Sequence, residues 1–210
     1  MASYVKTTTA LAALAILPFP PPALAHHVMG GDLPATAWQG LLSGFGHPII
    51  GWDHLGFILG VGSIAYLMGS RVLLPILFVA GTVLGCLMHL GGYDLPAPEL
   101  AIALTVAIAA GIVATRARAP AGLLAAMLVA AGLFHGYAYG ESIVGAEASP
   151  FAAYIVGFGA IQSCIAVGTA VALHKLVGRN YMRETSAMRV TGGGLALLAA
   201  VALVNTGLLG

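Results

Sequence analysis

Charge is what this sequence lacks most: of 210 residues, eight are Lys or Arg and seven are Asp or Glu, 7% in all. Soluble domains carry roughly 25%. With 60% of its residues hydrophobic, a chain of this length cannot hide its apolar surface in one core. Lipid is therefore the solvent for most of it. A formal net charge of +1 gives no reason to expect nucleic acid or an acidic partner. Cysteine is as scarce. Cys86 and Cys164 both lie in apolar runs with no metal-type spacing, so they read as small packing residues and exclude a disulfide framework. No glycine-rich phosphate loop ending in lysine occurs, which argues against ATP hydrolysis by this chain.

What is present begins with a leader. Lys6 supplies a positive start, Thr9 to Leu17 an apolar stretch too short to span, and Pro18 to Pro22 a break. Ala23-Leu24-Ala25 then fits signal-peptidase cleavage, so 1–25 is expected to be a signal peptide and His26-His27 the mature N-terminus. The remainder, 26–210, is expected to be one all-α membrane bundle of six helices, near 50–69, 72–92, 98–115, 121–139, 151–174 and 189–209. The segment 38–46 is too short to cross and reads as an interfacial approach helix.

Orientation follows from the basic residues. With the mature N-terminus outside, Arg71, Arg116, Arg118, Lys175, Arg179, Arg183 and Arg189 all fall on the cytoplasmic side. Asp32, Asp94, Glu99 and Glu147 occupy the opposite side. This one-sided distribution obeys the positive-inside rule and places both termini outside a prokaryotic plasma (inner) membrane. Glycines at four-residue spacing, Gly56/Gly60, Gly81/Gly85 and Gly132/Gly136/Gly140, predict closely packed helices.

Ionisable groups within spans are costly and mark a pathway or ligand site. His47, Asp53 and His54 fall at the outer start of span one, His89 at the outer end of span two, and His135 and Glu141 at that of span four. His26 and His27 share that side, whereas His174 lies at the cytoplasmic edge beside Lys175. On one unbroken helix His47 and His54 would be separated by ~10.5 Å of rise, too far to share an ion. Either they form successive sites or the chain breaks between them, as Pro48, suited to the first turn of a helix, and Gly51 favour. Asp53 is a candidate ligand or the carboxylate that orients His54. Imidazoles and carboxylates at one depth point to a borderline divalent metal: zinc, copper, cobalt and nickel all suit them. The N-terminal amine and imidazole of His26, with His27, form a candidate capture point.

The His47–Asp53–His54 pattern and the Phe134-His135-Gly136 run resemble the HupE/UreJ family of metal permeases, and the resemblance spans the mature chain. It implies a nickel importer with no tightly bound cofactor, functionally linked to hydrogenase or urease maturation. His47, Asp53, His54 and His135 match the family pattern. Tyr139 stands where the commoner family form has a histidine, and Glu141 follows Gly140 directly.

The expected activity is thus secondary transport of a divalent cation rather than catalysis. Histidine ligands must be neutral to bind, so uptake is expected to fail below their usual pKa of ~6.5. Competing readings use the same residues: a membrane-embedded metal-dependent hydrolase, a metal sensor, or a haem subunit using His54, His89 or His135. A serine protease would rest on Ser43 and His47.

Overall fold

The computed structural model describes residues 32–178 and 180–206. The expected leader and the candidate ligands His26 and His27 lie outside the described residues. Among those described, the chain is entirely helical: α1 (Ala37–Ile50), α2 (Trp52–Leu67), α3 (Leu73–Leu90), α4 (Pro98–Thr115), α5 (Ala121–Glu141), α6 (Ala148–Val177) and α7 (Tyr181–Asn205).

Helices α3 to α7 are each long and apolar enough to cross a membrane; α1 and α2, bent by 80° at their junction, bring the number of spans to six if counted as one. The expected all-α bundle is therefore present, with a different first span. The approach segment extends to Ile50 and packs along the first half of α6. Gly40 abuts the Pro150 backbone, Gly44 the backbone of Tyr154 and Phe158, and Gly157 the backbone of Leu41. Without side chains at these points the two helices meet main chain to main chain. Thr36 starts α1 with a capping box, its Oγ1 accepting from Gln39 N at 3.2 Å while Gln39 Oε1 accepts from Thr36 N at 3.2 Å.

Pro48 lies in the last turn of α1, not the first turn of a helix as its chemistry alone suggested. The chain stops at Gly51, whose backbone is extended (φ −70°, ψ 94°), and restarts at Trp52. The other correction at a span boundary is at α7. It begins at Tyr181 rather than near 189 because the Asn180 side chain accepts from Arg183 N at 3.0 Å, capping an additional polar stretch.

From α2 to α7 the helices alternate in direction, which gathers Asp94, Glu99, Glu141 and Glu147 at one end and Arg71, Arg116, Arg118 and Lys175 at the other. We call these the acidic and basic ends. Large apolar side chains such as Leu59, Ile76, Leu104, Leu123, Val156 and Leu197 face outward, as lipid requires. Cys86 is buried as a packing residue should be, whereas Cys164 is exposed on α6. The interior is apolar toward the basic end, around Phe57, Val61, Phe78, Val106 and Leu128. Toward the acidic end it is aromatic and polar.

Candidate metal centre

Three histidines from three helices converge in that polar interior, and all are fully buried: His47 on α1, His54 on α2 and His135 on α5. The break at Gly51 makes this possible. It brings the His47 and His54 rings to a centroid distance of 5.9 Å, well inside the ~10.5 Å of rise that a continuous helix imposes. The chain is broken between them, one of the two alternatives open from the spacing. His135 lies six residues from the end of α5, hence ~9 Å below it.

His54 Nδ1 and His135 Nδ1 are 2.9 Å apart. Thr105 Oγ1 donates to the Ile102 carbonyl at 2.7 Å and therefore meets His135 Nε2, 3.0 Å away, as an acceptor. His135 accordingly carries its proton on Nε2 and its lone pair on Nδ1, and His54 Nδ1–H donates to that lone pair. Phe57 stacks on the His135 ring at 4.4 Å with the planes 21° apart, and Phe78 meets its edge at 6.0 Å. The imidazole is thus held on its face, its edge and its far nitrogen, the support a precise ligand needs.

His47 is oriented by a second polar cluster. Its Nδ1 lies 3.0 Å from Ser142 Oγ and 3.1 Å from Tyr154 Oη. Both hydroxyls donate to the Tyr139 carbonyl, at 3.1 and 2.9 Å. The two hydroxyls are also 3.0 Å from each other, and the direction of each bond to His47 Nδ1 follows the tautomer of that ring. His47 Nδ1 thus meets the hydroxyls of Ser142 and Tyr154. Tyr139, one turn beyond His135, places its ring 4.9 Å from that of His47 and 4.6 Å from that of His54. Its hydroxyl is buried with no hydrogen-bond partner among the described residues. A buried hydroxyl left so costs about 1–3 kcal/mol, which a polar guest beside it would recover.

The other candidates are placed differently. Asp53 is half-buried in the first turn of α2, where Oδ1 accepts from His54 N at 2.8 Å and its charge suits the helix start. His89 is turned onto Tyr137, ring centroids 4.4 Å apart, and Glu141 is exposed at the end of α5. Among the described residues, no three His, Cys, Asp or Glu side chains are placed to hold one ion together. The assembled donors are a histidine pair, a third histidine and a phenol. Two nitrogens at right angles about one ion, each ~2.05 Å away, are ~2.9 Å apart, which is the observed His54–His135 spacing. Haem ligated on both faces needs about 4 Å, twice an Fe–N bond, so this pair does not fit it.

Sequence reasoning missed Thr105, Ser142, Tyr154 and Phe57. The first three are isolated hydroxyls in or beside apolar spans, a signal that was legible; Phe57 is one apolar residue among many and was not.

The family model described as HupE / UreJ protein matches residues 14–203. A relative named Protein HupE, from Rhizobium leguminosarum bv. viciae, is 34% identical over 209 residues, covering 96% of this chain and 99% of its own. No solved structure matches.

Proposed function

The chain belongs to the HupE / UreJ family, and from that premise we propose that it is a secondary transporter importing a divalent transition metal, nickel foremost. The observation that carries the proposal is the 2.9 Å spacing of His54 Nδ1 and His135 Nδ1 inside a fully buried pocket. A tautomer exchange in His54, from Nδ1–H to Nε2–H, together with a turn of the two rings that re-aims their Nδ1 lone pairs off the line between them, would let both face one ion with no change of charge. Imidazole pairs at right angles suit tetragonal nickel or copper; cobalt and zinc are the next candidates.

In this reading the acidic end, with Asp94, Glu99, Glu141 and Glu147, faces outward and concentrates the cation. The His26-His27 terminus captures it there. His54 and His135 replace part of its water shell, with His47, Tyr139 and Asp53 completing or supporting the site. The Gly51 break separates His47 from His54, so α1 and α2 can move relative to each other and open the path inward. The membrane potential favours inward movement by ~2.3 kcal/mol per charge per 100 mV, twice that for a dication. The imported ion would serve maturation of a nickel enzyme, hydrogenase or urease.

The direct test is uptake of radioactive nickel into proteoliposomes holding the purified protein. Saturable uptake above that of empty vesicles is expected. Tight stoichiometric binding without uptake would instead make it a sensor, and metal-dependent hydrolysis of a peptide or ester would make it an enzyme. A positioning role for Thr105 is tested alongside. Thr105→Val removes the acceptor that holds His135 Nε2–H and is expected to raise the half-saturating nickel concentration by about tenfold or more. Thr105→Ser should restore it, and equal behaviour of all three proteins would remove Thr105 from the site.

A further inference from the structure

At the basic end four helix termini surround a cavity of about 520 Å³. Its walls include Tyr66 from α2, Arg116 and Arg118 after α4, His174 from α6, and Tyr181 and Glu184 from α7. A space of this size suits a small ligand or headgroup.

The charges do not balance. Glu184 is the one acidic group on the wall. Its Oε1 pairs with Arg116 Nη1 at 3.1 Å, and its Oε2 accepts from the Tyr66 hydroxyl at 3.2 Å. The Arg116–Glu184 pair engages that carboxylate, so Arg118 and His174, both exposed on the wall, face no free carboxylate there. Arg116 has φ 55°, the left-handed conformation that commonly ends a helix, and the bond from Ala117 N to the Ile112 carbonyl closes α4 there. Its guanidinium lies 4.4 Å over the Tyr181 ring, bracing the end of α4 against α7. Leu176, between the wall residues His174 and Gly178, and Met182, beside Tyr181, are 74% and 70% exposed, an apolar rim beside a cationic cavity.

We propose that this cavity binds a phosphate-bearing anion, with Arg118 and His174 as its principal contacts. Two sources carry that group at such a depth: the headgroup of an anionic phospholipid, whose acyl chains would lie along the Leu176–Met182 rim, and soluble phosphate. The braced Arg116–Glu184 pair forms the floor of the site rather than its recognition element. Scattered basic residues obeying the positive-inside rule need no cavity and no carboxylate engaged elsewhere; here both occur together. Occupancy would tie α2, α4, α6 and α7 together at the end opposite the histidines.

The test is native mass spectrometry of the full protein in detergent, supplied with phosphatidylglycerol or phosphatidylcholine. It is joined by a thermal-shift titration with inorganic phosphate. Wild type is expected to retain phosphatidylglycerol over phosphatidylcholine by about five- to tenfold, the effect of one or two basic contacts. Arg118→Gln with His174→Gln should bring that ratio to near one, and Arg118→Lys alone should keep most of it. A phosphate-dependent rise in melting temperature that competes with phosphatidylglycerol, and is lost in the double variant, would support the site and assign it to a soluble anion. Equal retention of both lipids with no phosphate response would overturn the proposal. So would a preference for phosphatidylglycerol that survives in the double variant.

Discussion

Alanine at His54 or at His135 is expected to abolish saturable nickel uptake, with the double variant no worse than either single one. Each imidazole supplies one of the two Nδ1 atoms that stand 2.9 Å apart, so removing either leaves a lone monodentate nitrogen in a buried pocket. Losing a residue that merely orients a ligand costs about 10–100-fold in affinity; losing a ligand should exceed that. Residues acting as one unit are not additive, which is why the double variant is informative. His89→Ala is the comparison, because that ring is turned onto Tyr137 and should lose little. Uptake that persists in both single variants, or that falls by independent factors multiplying in the double one, would mean that the pair is not one site.

The second large effect concerns packing. Gly136→Ala and Gly85→Ala should each destabilise the bundle, whereas Gly168→Ala should not. A Cβ at Gly136 would run into the Thr82 main chain, and one at Gly85 into the Leu133 main chain; at Gly168 it meets nothing. Backbone cannot rotate aside as a side-chain tip can, so α3 and α5 must separate. Overpacking of this kind costs about 1–3 kcal/mol, or roughly 3–10 °C in melting temperature for a chain of this size. Thermal unfolding in detergent measures it directly. His135 immediately precedes Gly136, so nickel uptake by Gly136→Ala should fall as well. Three equal melting temperatures would show that the α3–α5 contact is looser than the glycine spacing implies.

That glycine spacing was readable from sequence, and the α3–α5 interface uses it as expected. Gly81 lies against Val129 and Gly132, and Gly140 against the His89 side chain. The spans were readable as well, because lipid demands runs of apolar residues whatever their partners are. The boundary of α7 was missed by eight residues because a polar extension outside the apolar run carries no hydropathy signal; the Asn180 cap decides it. The candidate histidines were legible as ionisable groups where lipid excludes them. Which of them meet was not.

By itself the sequence determined the solvent, the helical class, the gathering of charge at two ends and the residues worth suspecting. Each of these is a local property: hydropathy over a window, the sign of a loop, a polar residue in an apolar run. Only the tertiary structure decided that His47, His54 and His135 converge while His89 and Glu141 do not, that Thr105 and Tyr154 orient the rings, and that Tyr139 lends a buried hydroxyl. Those outcomes depend on the 80° bend at Gly51 and on which face of α5 meets which neighbour. Such non-local contacts leave no pattern along the chain.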